Sequence, residues 1–348
     1  MFGVLCRSPL GAVVIVLLLW GTTPAGAQEP RFFRIGAAAT AGSFFEIGGV
    51  LAGAISKPAD SLPCEEGGSC GVPGLVAVAE ATQGSVENLR MVASGQIESG
   101  IAQSDVVSSA FAGTGVFADG GPIKTLRAIA SLFPESLHVV VRAAGPIQTL
   151  ADMKGRHVSL GQSGSGTLAD ARIVLAASGL TEQDLSAEYL RSGTAAADLS
   201  DGSLEGFFLI GGVPIPAVRA LAATTPIRLI PIPDDVLSKM QEKYGPYLRS
   251  VIPADTYLGV GVATSTIGFH ALWIVSADAS GDLIFAITKA LWNEATQRLL
   301  ETHDPIGKDV RLEHALDGLS VPLHPGAIRF YRQAGLPAED GGPPGKPE

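Results

Sequence analysis

The sequence has no surplus of basic residues: 24 Lys and Arg stand against 34 Asp and Glu, a formal net charge of −10. Such a surface repels nucleic acid and anionic lipid, and neither is expected as a partner. Histidine is scarce, with six in the chain and none in an H-E-x-x-H or comparable spacing, so no metal site and no cofactor is expected. Long apolar runs are missing as well. The one candidate, Leu10 to Trp20, is shorter than the roughly 20 residues that cross a bilayer. Charged residues make up only 17% while glycine alone contributes 43 residues, which argues for a closely packed chain rather than a disordered one.

The apolar run gains a meaning from its flanks. Arg7 precedes it, and Ala25-Gly26-Ala27 follow with small residues at the positions a signal peptidase reads. Residues 1–27 are expected to be a cleavable export signal, leaving a periplasmic protein that is not itself membrane-embedded. Cys6 lies ahead of the run, not at its end where a lipoprotein cysteine would be. Loss of Arg7 moves the net charge from −10 to −11. Of three cysteines, Cys64 and Cys70 then remain, five residues between them in a Gly/Glu loop. In an oxidising compartment this pair reads as a disulfide stapling a surface insertion, worth about 2 kcal/mol. A redox pair would more usually be C-x-x-C.

Roughly 320 mature residues exceed what one core usually organises. Strand and helix patterns alternate, which argues α/β with largely parallel sheets. A strand is expected at Phe32–Ala37 and a helix from Ser43, with Ser43 and Glu46 as a capping box. A strand at Leu75–Ala79, a helix at Ser85–Ala93, a strand at Ile97–Ala102 and a helix at Asp105–Phe111 follow. Two apolar runs, "LRAIASLF" and "LHVVVR", carry the chain into a second lobe. There a strand at Val158, a helix at Thr167–Ser178, strands at Ala187–Leu190 and Leu204–Ile210 and a helix from Pro214 are expected. Tyr257–Val262 brings the chain back, and a long helix at Leu283–Leu300 completes the first lobe. A lobe interrupted by another is a hinged design whose ligand sits in the cleft between them.

The stretch "GQSGSGT", Gly161 to Thr167, follows a strand and opens a helix. Gly164 to Ala169 fits G-x-G-x-x-A, but the acid such a dinucleotide site needs, Glu188, lies within its strand, and an exported protein has left the nicotinamide pool. A hydrolase elbow centred on Ser163 lacks its final Gly. His138 and His157 read as polar residues at strand ends. What remains is a turn that sets hydroxyls beside the unpaired amides of a helix start, a ready site for a carboxylate. The device recurs at "ATAGSFF", "ATQGSVEN" and "AQSD", and several such turns make a cleft.

Eight segments in order give the chain a family likeness: "RIGAAATAGSFFEIGG" from Arg34, "ATQGSVENL" from Ala81, "GIAQSD" from Gly100, "LHVVVR" from Leu137, "LADMKGRHVSLGQSGSGT" from Leu150, "GGVPIPAV" from Gly211, "DTYLGVGVAT" from Asp255 and "LHPGAIRFYRQAG" from Leu323. Over essentially the whole mature length the chain resembles the TAXI family, extracytoplasmic solute receptors of TRAP-type secondary transporters. The first turn departs from the family, with Ala37-Ala38-Ala39 and Phe44-Phe45 where Gly, Thr and Tyr are usual, and with Glu46 close by. The resemblance implies a two-lobed, type II periplasmic-binding fold with a hinge and interdomain cleft. It also implies a receptor, not an enzyme, that takes a small carboxylate, dicarboxylate or glutamate-like acid to TRAP-type permease subunits. An exported hydrolase or a sensory binding module on the same fold is the alternative, and a monomer is expected. On this reading residues 28–140 form the first part of lobe I, including the Cys64–Cys70 insertion. Residues 141–260 form lobe II, 261–335 return to lobe I, and 336–348 are a disordered tail. The ligand's carboxylate is expected to meet Ser163, Ser165, Gly166 and Thr167 from lobe II. Thr40, Ser43, Phe44, Ser85, Asn88 and Gln103 face it from lobe I, with Gly211, Gly212 and Tyr257 on the rim.

Overall fold

A computed structural model describes residues 2–3, 30–244, 247–303 and 305–339. The expected export signal lies outside the described residues but for Phe2 and Gly3. The chain opens with β1 (Arg31–Gly36) and α1 (Ser43–Ile55), then two short strands, β2 (Ser56–Lys57) and β3 (Val72–Pro73), flank the loop in which the Cys64 and Cys70 sulfurs are bonded. Next come β4 (Leu75–Glu80), α2 (Ser85–Ala93), β5 (Ser99–Gln103) and α3 (Ser104–Ala112). Here β1 lies parallel between β4 and β5.

The two expected apolar strands are one: β6 runs unbroken over Leu126–Arg142. Its residues are buried almost without interruption, the pattern of a strand covered on both faces. Beyond it lie β7 (His157–Ser159), α4 (Gly166–Ala177), β8 (Ser186–Glu188), α5 (Ser192–Asp201), β9 (Gly206–Gly211), α6 (Pro216–Ala222), β10 (Ile227–Leu229), α7 (Asp234–Tyr244) and β11 (Leu248–Ile252). The helices α5 and α7 had no counterpart in the sequence reading, and α6 starts two residues after Pro214. Residues 257–262, expected as the returning strand, form a turn instead, with Asp255 and Gly259 at positive φ. The return is β12 (Thr264–Ser276). The expected single long helix is two, α8 (Gly281–Leu291) and α9 (Glu294–His303), because the Asn293 side chain accepts a hydrogen bond from the Thr296 amide at 2.8 Å and starts a new helix. The chain ends in α10 (Pro325–Gln333). Of the expected tail, Leu336 packs against the first core and Ala338 is buried in it, its carbonyl accepting from Arg332 Nε at 2.9 Å; residues 340–348 lie outside the described residues.

The strands form one sheet in the order β3-β2-β4-β1-β5-β12-β6-β9-β7-β8, with β10 on β6 and β11 on β12. The antiparallel pair β6 and β12 is its spine. Ala271–Val275 of β12 pair with β5 in the first lobe, and Thr264–Gly268 pair with β11 in the second. Two bulges interrupt the β6–β12 register, at Ala271/Leu272 and Trp273/Ile274. The fold is two-lobed α/β. The first core gathers Phe33, Ile35, Leu51, Trp273 and Tyr331. The second lobe has a core on each face of its sheet, since successive strand residues point oppositely: Phe208 belongs to one and Phe207 to the other.

Candidate functional site

Four helices aim their N-termini at one cavity between the lobes. Ser43 opens α1, Ser85 opens α2, Gly166 opens α4 and Ser192 opens α5, and all four line it. The cavity holds about 60 Å³, by the measure in which one water needs roughly 10–15 Å³. That is room for about four to six water-sized groups, so an acid the size of glutamate must hold the lobes further apart. Phe44, Leu190, Phe208 and Ile210 supply apolar wall, and among the described residues no ionisable side chain lines it. Neither α4 nor α5 has an acidic residue in its first turn, so the partial positive charge of both helix starts faces the cavity uncancelled.

The lobes are closed on this space. Glu87 N donates to Gly164 O at 3.1 Å, and Gln162 Nε2 donates to Gln83 O at 2.5 Å. Gly212 N donates to Ser43 Oγ at 3.1 Å, and Gln103 Nε2 to Asp170 Oδ2 at 3.0 Å. Ser43 thus ties its lobe to the other. It does not cap α1, whose cap residue is Gly42 with no side-chain cap bond, which overturns the expected capping box.

The expected site residues divide. Ser43, Phe44, Ser85, Gln103, Ser165, Gly166 and Thr167 line the cavity. Ser85 Oγ accepts from Gln103 N at 3.1 Å and donates to Gln103 Oε1 at 3.3 Å, fixing that glutamine. Ser165 Oγ accepts from Leu168 N at 3.1 Å, a helix cap, and Thr167 Oγ1 accepts from Ile210 N at 3.2 Å, fastening α4 to β9. The others do not line the cavity. Thr40 and Ser163 are exposed. Asn88 is buried between strands, its Nδ2 donating to Gly36 O at 3.0 Å and Ile101 O at 2.8 Å. Gly211 packs against Ser43 and Ile215, and Gly212 against Ile306 and Phe133. Tyr257 is a core residue: its hydroxyl accepts from Ile215 N at 2.8 Å and lies 2.9 Å from His138 Nε2.

Among the lining residues that escaped the sequence reading, Ser192 and Gln162 stand out. Ser192 Oγ and Gln162 Oε1 are buried with no hydrogen-bond partner, an arrangement that costs about 1–3 kcal/mol per group unless something fills it. Gln162 was passed over for its neighbour Ser163, but Gly161 at φ +95° turns the chain so that 162 faces inward and 163 outward. Ser192 went unseen because α5 did, although "SGTAAA" carries the same small-hydroxyl start as the other turns.

Of the two histidines expected at strand ends, His157 opens β7, whereas His138 lies within β6. His138 Nδ1 meets Ser136 O at 2.9 Å, and burial pushes its pKa down to about 4, so the ring is neutral; His157 is exposed. Among the described residues no group of three or more His, Cys, Asp or Glu could hold a metal ion. No described helix is long and apolar enough to cross a membrane.

Two lobes joined by crossing strands, with a donor-lined cavity at the helix starts between them, define the type II periplasmic-binding class of fold. The chain belongs to the NMT1-like family, whose model matches residues 35–335. Solved structures with a similar course include the alkanesulfonate-binding protein SsuA from Xanthomonas axonopodis pv. citri bound to MOPS, at 20% identity over 89% of this chain and 95% of that one, TM-score 0.46. A putative L-cystine ABC transporter from Listeria monocytogenes matches at 12% identity over 82% and 99%, TM-score 0.46. The ligand-binding component of an ABC-type import system from Staphylococcus aureus with zinc bound matches at 11% identity over 89% and 95%, TM-score 0.45.

Proposed function

We propose that this protein is an extracytoplasmic solute-binding receptor that closes its lobes on a small organic acid in the periplasm and delivers it to a membrane permease. The observation that carries the reading is the cavity itself: helix starts from both lobes converge on it, and of its two unsatisfied polar atoms Ser192 Oγ can donate to an acid, while Gln162 Oε1 only accepts and calls for a donor on the solute. Amides and hydroxyls without a basic side chain suit a carboxylate, held by oriented dipoles and not by an ion pair. Micromolar affinity needs about 8 kcal/mol, which four or five charge-assisted donors at about 1.5–3 kcal/mol each supply after ordering costs. The eight TAXI-like segments support the finer reading, a glutamate-like or dicarboxylic acid and a TRAP-type permease.

A thermal-shift panel of mono- and dicarboxylic acids on refolded protein tests the ligand class. An acid at 100 times its Kd adds about 2.7 kcal/mol of stability, a rise of a few degrees. A panel without any shift, or shifts from neutral sugars or amines alone, sinks the reading. Uptake by reconstituted permease that requires an ion gradient fits the TRAP type; uptake that requires ATP hydrolysis replaces it with an ABC type.

A further inference from the structure

Beside the cavity, three carboxyl groups from three parts of the fold meet. Asp105 stands in the first turn of α3 in the first lobe, Asp170 lies in α4 in the second, and Glu135 is on β6, which serves both. Asp105 and Asp170 are in hydrogen-bond contact across the lobe boundary, and Asp105 lies near enough to Glu135 to oppose its ionisation. Asp170 is 0% exposed and Glu135 2%. Both Asp170 oxygens accept bonds, from Gln103 Nε2 at 3.0 Å and from the Tyr247 hydroxyl at 3.1 Å. Asp105 Oδ1 and both Glu135 carboxyl oxygens are buried and have no partner.

Two touching carboxylates in a buried place cannot both be ionised, so the pair holds a proton between them. Of the two, Asp170 is held the more strongly against ionisation, by its deeper burial and by Asp105 beside it, and the pair shares the proton across the lobe boundary. Burial likewise keeps Glu135 neutral. The cations on the neighbouring elements are turned to other partners. On α7, Lys239 pairs with Asp235 and Lys243 lies over the Tyr244 ring. On α4, Arg172 pairs with Glu182. On α2, Arg90 donates to Val116 O, while Glu87 accepts from Gln83 N. On β12, His270 contacts Ser131 Oγ, and burial lowers its pKa. Tyr247, whose phenol is pushed up by burial and the two aspartates, is a neutral donor.

We propose that closing the lobes takes up one proton, shared between Asp105 and Asp170, so that solute capture is coupled to protonation. This rests on the reading of the cleft as a site that opens and closes. When the lobes part, the two carboxyls separate into water and ionise near the ordinary value of about 3.9. The closed form then binds more protons than the open form. By linkage, closure strengthens as pH falls and weakens as pH rises, about tenfold per pH unit while the closed pair keeps its proton.

L-Glutamate is a suitable probe, because its carboxylates stay ionised and its charge constant between pH 6 and 8. Calorimetric titration of the intact mature protein should show Kd rising with pH over that range, by up to about tenfold per unit. Repeating it in two buffers of different ionisation heat should count about one proton taken up per molecule bound. Asp105→Asn keeps the hydrogen bond to Asp170 without needing the proton, and its Kd should not change with pH. X-ray scattering of probe-free protein should show the parent, but not the variant, more compact at pH 5.5 than at pH 8. A proton count of zero in the parent overturns the proposal whatever the variant does. Parallel pH profiles for parent and variant also overturn it, in titration or, where L-glutamate does not bind, in scattering. If L-glutamate binds at no pH while the scattering difference appears and vanishes in the variant, the glutamate-like reading fails and proton uptake stands.

Discussion

Gly166, at the start of α4, lies so close to Gln103 in the facing lobe that a Cβ on it would sit 1.9 Å from Gln103 Oε1. Gln103 cannot readily give way, because Ser85 and Asp170 hold its two ends. The gap exists only with the lobes shut. Gly166→Ala should therefore obstruct closure while leaving the fold intact, since alanine at a helix position is favoured over glycine by about 0.5–1 kcal/mol. Titration with an acid that stabilises the parent should show at least a tenfold loss of affinity, with a melting temperature equal to or above the parent's.

Ser165 and Ser192 both line the cavity, yet their substitutions should act on different quantities. Ser165 Oγ is spent on capping α4, so Ser165→Ala should lower stability by about 1 kcal/mol with little change in affinity. Ser192 Oγ has no protein partner. Ser192→Ala should leave the ligand-free melting temperature near the parent's and weaken binding by about ten- to a hundredfold, the worth of a charge-assisted hydrogen bond. The reverse pattern would move the ligand away from α5.

His138 gives the protein an acid-sensitive point. Its pKa falls from an unfolded value of 6.5 to about 4 through burial, so the folded chain binds fewer protons than the unfolded one. Its contribution to stability is complete above pH 6.5 and is lost as pH falls toward 4. Between pH 6.5 and 5 that loss amounts to about 2 kcal/mol. Denaturant unfolding of His138→Gln should show a shallower fall over this interval than the parent, even if its stability at pH 7 is lower. An equal slope would assign the acid sensitivity to other groups.

The Cys64–Cys70 bond closes a short loop beside β2 and β3, with Asn293 Nδ2 donating to Cys70 O at 3.4 Å. Neither cysteine lines the cavity. Replacing both with Ser should cost about 2 kcal/mol or less and leave affinity unchanged. Intact mass after alkylation, with and without reductant, should show the two thiols of the parent only after reduction.

The elements that follow directly from periodicity were legible: Ser85–Ala93 is helical as expected, and β1, β4 and β9 lie within a residue or two of their expected ranges. What could not be read depended on partners remote in sequence. Ser43 looks like a cap from its neighbours, but its hydroxyl meets an amide 169 residues away. Asn88 looks like a ligand donor on a helix start, but the helix turns it inward to bridge two strands. The Tyr257 segment has the alternation of a strand, yet positive φ at Asp255 and Gly259 curls it into a turn. The carboxyl pair was equally hidden, because Asp105 and Asp170 lie in helices that meet only once both lobes are built.

The crossing strands bear on how the molecule comes apart. Since β6 and β12 each lend hydrogen bonds to both lobes, neither lobe can melt and leave the other with a complete sheet. Two bodies that move separately in function should thus unfold as one cooperative unit. The slowest-exchanging amides should run along β6 and β12, where the motion of the hinge and the integrity of the whole chain depend on the same backbone.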